Sequence, residues 1–524
     1  MDRRGVIAGV CGLAGVACAV PPAVTVEQIT SDASWGYRGG IKQPVGSYLD
    51  GISIHLLSRA SDPFSGEGSP DYLLWVNENT GEHGIIEQVT GAFAGQAMNP
   101  GGMATFGADG TIWLAHGAHL PQNPMKLFRS DGPFVLDSFT EVVSAFVDDV
   151  GGSTTPCVIA EDDRVVIYWR HGPSTGRYTQ VRGRVYDPTQ GFANRVAEIR
   201  IGEGDQVDPP GRVGIEQLWV RRDPRHDRTL LSWQWFNVPD NTFGSNPLFA
   251  SSDGLAWYRA DGDRQFGLPI QFSERDAVMV SEDHIIEPGN TTGWLMAELG
   301  LTPAGVMWHG VPHTLDADSF DLRFWRWNGS AWGFQTLATP MEFGLKGYAI
   351  GVTDDRMVLL FTDRTNPSDL MMRVSEDDGV SWSAAEVVDT LPAGHTVAHL
   401  SFIQPAVEYD ASARFIYGYF DLNGDAAARR SRYDYRWIRI NFDPACRADL
   451  TGSSDPNDAS HGQPDGVADA EDFFYYLDAF VGQQLGVCDL TGSSDPNAGD
   501  FDAPDGDCDA DDFFRYLDLF TQGC

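Results

Sequence analysis

Short apolar runs entered through Asp-rich turns recur along residues 48 to 443. Examples are Ala108-Asp109-Gly110-Thr111-Ile112-Trp113-Leu114, Asp162-Asp163-Arg164-Val165-Val166-Ile167-Tyr168-Trp169 and Thr353-Asp354-Asp355-Arg356-Met357-Val358-Leu359-Leu360-Phe361. A run of this kind predicts a buried strand, and a polar hairpin after each pair of strands predicts an outer edge. The clearest hairpin is Ser375-Glu376-Asp377-Asp378-Gly379-Val380-Ser381-Trp382. There Asp377 can bond turn amides, Gly379 can take positive φ and Trp382 can bury the start of the next strand. Degenerate copies stand at Ser251 to Trp257 and Arg129 to Gly132. Segments of one grammar fall near 48–92, 98–146, 155–202, 213–263, 290–338, 346–391 and 397–443, each about 45 residues long. That is the length of a four-stranded propeller blade, so the pattern predicts an all-β, seven-bladed β-propeller over residues 20–445.

The grammar changes near Asp443-Pro444-Ala445-Cys446. Asp449-Leu450-Thr451-Gly452-Ser453-Ser454-Asp455-Pro456-Asn457 recurs 40 residues on at Asp489 to Asn497, a tandem duplication. Each copy ends in half a calcium loop, Asp465-Gly466-x-x-Asp469-x-x-Asp472 and Asp505-Gly506-x-x-Asp509-x-x-Asp512. Hard oxygen ligands with a glycine at the sharp turn suit Ca²⁺. A helix follows each loop, with Phe473, Leu477 and Phe480, or Phe513, Leu517 and Phe520, on one face. An insertion separates the early ligand positions, which Asp449 or Asp455 with Asn457, and Asp489 or Asp495 with Asn497, would fill. Residues 446–524 resemble a dockerin, a small α-helical calcium module that in its family docks on a cohesin-like partner. The bland reading is an acidic solubilising tail.

Composition changes this picture in three ways. The net charge is −38 and no basic stripe is present, which argues against nucleic acid as a partner. The tail holds 18 Asp and Glu against Arg447 and Arg515. Arg3 and Arg4, the apolar run Val6 to Val20 and Ala17-Cys18-Ala19 read as an export signal over residues 1–19, and no later stretch is apolar for long enough to span a membrane. A secreted or extracellular protein, with cell-surface association through the tail, is the expectation. In that compartment Cys446, Cys488, Cys508 and Cys524 can form two disulfides, with three pairings open.

The candidate chemistry lies in the inner strands. Met98-Asn99-Pro100, then Ile112-Trp113-Leu114-Ala115-His116-Gly117-Ala118-His119, then Ile167-Tyr168-Trp169-Arg170-His171-Gly172 with Arg182-Gly183-Arg184-Val185-Tyr186, resemble the BNR-repeat propellers that include ulvan-lyase-like polysaccharide lyases. The resemblance covers residues 48 to 443 and implies β-elimination on an acidic, uronate-containing polysaccharide, with no cofactor needed for the chemistry. Elimination needs a cation on the carboxylate, a base for the C5 proton and an acid for the leaving O4. By resemblance His119, Tyr168 and Arg184 carry the catalysis, and Asn99, His116, Arg170, His171 and Tyr186 bind substrate. Met98 stands where the family has a histidine, which favours the alternative of a non-catalytic glycan-binding propeller; His116, His171 or His55 could compensate. A sialidase-like hydrolase is the third reading, weakened by the lack of a clear tyrosine–glutamate nucleophile pair. For each candidate histidine or arginine, packing and ordinary salt bridges are the bland reading.

Overall fold

The apolar runs become strands, and the Asp-rich turns become the hairpins between them. The computed structural model describes residues 22–30, 45–58, 71–87, 101–117, 126–143, 151–161, 164–173, 180–186, 199–203, 213–237, 242–244, 248–252, 256–263, 268–274, 280, 284–285, 297–314, 319–342, 347–362, 365–421, 434–442, 448, 450–458, 460–462, 468–493 and 506–522. Two compact units emerge, Val26–Arg439 and Ile440–Cys524, the latter grouped with residues up to Thr25.

The strands begin with β1 (Ala23–Thr30), β2 (Val45–Leu49), β3 (Ile52–Ser58), β4 (Asp71–Asn77) and β5 (His83–Glu87). Next come β6 (Gly101–Phe106), β7 (Ile112–Gly117), β8 (Lys126–Ser130) and β9 (Phe139–Val143). They are followed by β10 (Gly151–Ala160), β11 (Val165–Pro173), β12 (Gln180–Tyr186) and β13 (Ile199–Glu203). Then come β14 (Val213–Asp223), β15 (Arg228–Asn237), β16 (Thr242–Gly244), β17 (Leu248–Ser251), β18 (Ile270–Gln271) and β19 (His284–Ile285). After them run β20 (Glu298–Leu301), β21 (Met307–Thr314), β22 (Ser319–Trp327), β23 (Trp332–Glu342), β24 (Tyr348–Val352), β25 (Met357–Phe361), β26 (Asp369–Ser375) and β27 (Glu386–Thr390). The last strands are β28 (His395–Pro405), β29 (Ser412–Asp421) and β30 (Asp434–Asn441).

Three sheets are four-strand meanders in chain order, β6 to β9, β20 to β23 and β24 to β27. A fourth, β10 to β13, carries β18 in parallel on its edge. A fifth has the order β14-β15-β16-β19, with β17 on β15. The largest runs β1-β30-β29-β28-β2-β3-β4-β5, so the first strand pairs with the last and β2 lies parallel to β28. Sequential meanders of this size are the building unit of β-propellers.

The first strands of the sheets converge on one axis. Ser47 of β2, Thr105 of β6, Ala160 of β10, Arg222 of β14 and Gln404 of β28 border a single cavity. From β14, the buried Arg221 donates through Nη1 to the Leu299 carbonyl of β20 at 3.0 Å and the Ile350 carbonyl of β24 at 3.3 Å. Its guanidinium lies 4.6 Å from the Phe402 ring of β28 and 5.4 Å from that of Trp308. The sheet faces bury against their neighbours, as where Leu114 and Phe128 meet Leu56 and Leu73.

The hairpin after β26 obeys the turn chemistry its sequence demands. Asp377 Oδ1 accepts from the Ser381 amide at 2.8 Å and Oδ2 from the Ser381 hydroxyl at 2.6 Å. These bonds, the Ser381 hydroxyl first, hold the Asp377 carboxyl below its usual range. Gly379 has φ +78°, and a Cβ there would lie 2.6 Å from the Phe324 ring. Trp382 meets that ring edge-on at 5.5 Å, so the hairpin is stitched to the neighbouring sheet.

A buried polar pair shows how the sheets constrain charge. His309 of β21 is wholly buried, with Nε2 3.0 Å from the Ser232 hydroxyl of β15. Burial pushes its imidazole down from 6.5 to about 3. The folded value lies below the unfolded one, so the unfolded chain takes the proton first. Stability from this site is complete above pH 6.5 and is lost as pH falls towards 3. His309→Asn should flatten the acid limb of a Tm-against-pH profile over that window, measured by calorimetry.

The C-terminal unit folds around the duplication. Its helices are α1 (Ala470–Val481), α2 (Leu485–Cys488) and α3 (Ala510–Gln522). Tyr476 and Tyr516, 40 residues apart, stack with centroids 3.8 Å apart and planes within 1°. Tyr476 donates to the Cys488 carbonyl, and Tyr516 to that of Ala448, again 40 residues apart. Each repeat thus caps the other. Phe473, Phe480, Phe513 and Phe520 pack round this pair, whereas Leu477 and Leu517 are half-buried outside it. Cys488 is bonded to Cys508, while Cys446 and Cys524 lie outside the described residues.

Candidate active site

Strand alternation decides which of the predicted side chains can meet. Across β11 and β12, His171 is opposite Gln180, Trp169 opposite Arg182, Ile167 opposite Arg184 and Val165 opposite Tyr186. Opposed residues share a face, so His171, Gln180, Arg182, Arg184 and Tyr186 form one stripe. The Tyr186 ring meets Trp113 of β7 edge-on at 5.8 Å, which turns that stripe towards the β6–β9 sheet. Tyr168 and Arg170 are on the other face. Arg170 Nη1 donates to the Ile215 carbonyl of β14 at 3.0 Å, and the Tyr168 ring meets Trp257 at 5.7 Å.

The predicted set is therefore split by the sheet. Arg184, His171 and Tyr186 are brought together, and Arg170 and Tyr168 are not. Tyr168 is wholly buried in a hydrophobic cluster, and Gly183 makes room for it, since a Cβ there would lie 2.8 Å from the ring. His116 sits in β7 opposite Gly102 and Lys126. Asn99 and His119 lie outside the described residues, as does Met98.

Two members of the stripe escape a motif-based reading. Arg182 donates through Nε at 2.8 Å and Nη2 at 2.7 Å to the Gln180 side-chain oxygen. Arg182 is 3 % exposed, Arg184 7 % and His171 6 %, so the stripe is nearly dry. The signal was present in the alternation Gln180-x-Arg182-x-Arg184-x-Tyr186, which any strand turns into one face. Residues two apart on a strand have Cα atoms about 7 Å apart, and here both carry guanidiniums. Planar, always charged and poorly hydrated, they suit recognition of a carboxylate on a sugar ring. His171 sets an imidazole on the same face beside them.

In the C-terminal unit the predicted calcium residues have other partners. Asp472 Oδ1 accepts from the Leu450 and Thr451 amides at 2.6 and 2.7 Å, and Oδ2 from the Asp469 amide at 2.9 Å. Asp512 repeats this with Leu490, Thr491 and Asp509. Both carboxylates are wholly buried, each accepting three backbone N–H groups. Asp469 and Asp509 accept from the amides of Glu471 and Asp511, Asp455 from Asn457, and Asp489 from Gly506. Among the described residues no three His, Cys, Asp or Glu side chains gather as a metal site would. Asp449, Asp465, Asp495, Asn497 and Asp505 lie outside those residues.

Comparison with solved structures places the fold beside that of a polysaccharide lyase. A structure described as a new family of polysaccharide lyase, PL25 ulvan lyase, bound to -[GlcA(1-4)Rha3S]-, matches with TM-score 0.56 at 14% identity, over 80% of this chain and 96% of that one. A second structure described as PL25 ulvan lyase matches with the same TM-score, identity and coverage. The β-propeller domain of the Trilobed protease from Pyrococcus furiosus matches at TM-score 0.37 and 9% identity, over 78% of this chain and 98% of that one. At 14% identity the likeness to the lyase is one of fold. No protein-family model matches the chain, and no curated protein does. Among the described residues no helix is long and apolar enough to cross a membrane.

Proposed function

We propose that the chain is a secreted, carbohydrate-active propeller of seven blades that cleaves a uronate-containing polysaccharide by β-elimination. The blades are the meanders starting at β2, β6, β10, β14, β20, β24 and β28, with β1 completing the last. The observation that carries the chemistry is the buried Gln180–Arg182–Arg184 stripe with His171 beside it. Arg182 and Arg184 would hold the uronate carboxylate and stabilise the negative charge that builds as C5 loses its proton. His171, His116 and His119 are the candidates for base and acid. The C5–H bond breaks to the base, the C4–O4 bond breaks as a C4–C5 double bond forms, and the leaving O4 takes a proton from the acid.

The substrate class is supported by the glucuronate-containing ligand named for the structurally similar lyase. Met98, where the resembling family has a histidine, favours a second reading as a glycan-binding propeller without turnover. Incubation with a panel of uronate polysaccharides, read by ultraviolet absorbance of the unsaturated product, tests the two. Absorbance growing on at least one polymer is the expected result. Binding without absorbance on every polymer would leave only the second reading.

We further propose that residues 446–524 bind calcium and dock on a cohesin-like or cell-surface partner, supported by the duplicated acidic spacing. Asp472 and Asp512 serve there as buried clasps between loop and helix, and the ligands come from Asp465, Asp469, Asp505, Asp509 and the earlier Asp and Asn positions. A chelator is expected to lower the melting temperature of this unit while leaving that of the propeller unchanged. A calcium-independent transition would end this part of the proposal.

A further inference from the structure

The β10–β13 stripe has a counterpart at the same register in another sheet. In β20–β23, His313 is opposite Asp321, with Arg323 two residues further along β22. In β10–β13, His171 is opposite Gln180, with Arg182 two residues further along β12. The stripe carrying Tyr186 faces the preceding sheet, and so does this one, since Val311 and Trp325 share its face and pack with Trp219 and Leu230. The β6–β9 sheet sets His116 opposite Lys126 at the corresponding station. The histidine station is thus reused, and its partner changes from lysine to glutamine to aspartate.

In β20–β23 that change creates a different surface. His313 Nδ1 lies 3.3 Å from Asp321 Oδ1, and Arg323 Nε lies 3.7 Å from Asp321 Oδ2. Asp321 is nine-tenths buried, and its Oδ1 accepts no hydrogen bond from the described residues. The Arg323 guanidinium lies 4.6 Å over the ring of Phe334, which stands opposite Trp325 and is 46 % exposed. An exposed ring, a guanidinium and a carboxylate with acceptor capacity to spare follow one another along one sheet face.

We propose that His313, Asp321, Arg323 and Phe334 form a second glycan-binding subsite, taking a hydroxyl-rich sugar residue of the polymer. Apolar C–H groups of the sugar meet the exposed part of the Phe334 ring that Arg323 and Trp325 leave open, vicinal hydroxyls donate to Asp321, and Arg323 donates to a ring or hydroxyl oxygen. The class of ligand rests on the carbohydrate reading above; the location does not. Because Arg323 is shared with Asp321, the subsite carries little net charge and selects hydroxyl geometry over carboxylate.

Phe334→Ala and Asp321→Asn test this in the full chain, with the same uronate polymers as probes in titration calorimetry and turnover assays. Each variant is expected to bind the polymer about tenfold more weakly, raising KM while leaving kcat and the melting temperature unchanged. Phe334 is exposed, so its variant keeps the fold even if that of Asp321 does not. Polymer binding unchanged in Phe334→Ala overturns the subsite, whether or not turnover is seen. Binding lost in Phe334→Ala with no turnover in the parent protein overturns the lyase reading and keeps the subsite. A parent protein that binds no polymer removes both.

Discussion

Arg182→Ala is expected to lower kcat/KM on the uronate polymer by about 10²–10³-fold, the scale on which a positioned donor to developing charge acts. The guanidinium is held by two hydrogen bonds to one amide oxygen, so its plane is fixed before substrate arrives. Arg182→Lys keeps the charge but loses the fork, and should recover only part of the loss. Gln180→Ala keeps Arg182 and frees its plane, so it should depress kcat more than it raises KM. If Arg182 only braces the sheet, the three variants should instead lose melting temperature in proportion to activity. Activity and Tm measured on the same samples separate these outcomes.

Arg414→Ala is expected to destabilise the propeller by about 3 kcal/mol, because among the described residues it leaves the buried Glu78 carboxylate with only Arg439, 3.6 Å away, and the Ser53 hydroxyl. Arg414 of β29 is 1 % exposed and reaches Glu78, in the turn after β4, with Nε at 2.5 Å and Nη2 at 3.1 Å. It also holds Asp410 through Nη1 at 2.8 Å and Nη2 at 2.7 Å, and lies 3.6 Å over the Tyr48 ring of β2. The cluster ties β28–β29 to β2–β4, the seam where the ring joins its ends. Burial alone would raise the Asp410 carboxyl, but the hydrogen bond and charge of Arg414 outweigh it and hold it below its ordinary value of 3.8. A depressed carboxyl stabilises the fold above pH 3.8, and that contribution disappears as pH falls through the folded value. Replacing Arg414 and Glu78 together with apolar residues of similar size should restore part of the loss, since the most buried carboxylate is then gone and Asp410 keeps the charge of Arg439 nearby. Urea midpoints of the single and double variants measure this.

The strand plan was open to inspection in the sequence because period and turn chemistry are local properties. Ile112 to Leu114, Val165 to Trp169 and Met357 to Phe361 all lie within strands, and the Asp377 turn uses the hydrogen bonds its residues can make. Which face a side chain occupies was less open, since it depends on register across a hairpin. Tyr168 and Arg184 look like neighbours in a motif, yet the pairing of Tyr168 with Gly183 sends them to opposite sides. Arg221 could not be placed at all from its own segment, because its partners, Leu299, Ile350 and Phe402, come from three later sheets. In the C-terminal unit the phenylalanines of the helical faces were legible, but Leu477 and Leu517 fall outside the packed cluster, and the Tyr476–Tyr516 stack exists only because two repeats meet. There Asp472 and Asp512 carry a calcium-loop spacing and a helix-capping geometry at once, and spacing alone does not choose between them.

If the chain is the lyase proposed above, the stripe of Arg182 and Arg184 receives the sugar carboxylate. A crystal structure of the protein with a uronate oligosaccharide tests it most directly. The expected complex has a carboxylate within hydrogen-bonding distance of at least one of these guanidiniums, with C5 of the same sugar facing a histidine. An oligosaccharide bound elsewhere, with the stripe still sealed between its two sheets, would contradict it.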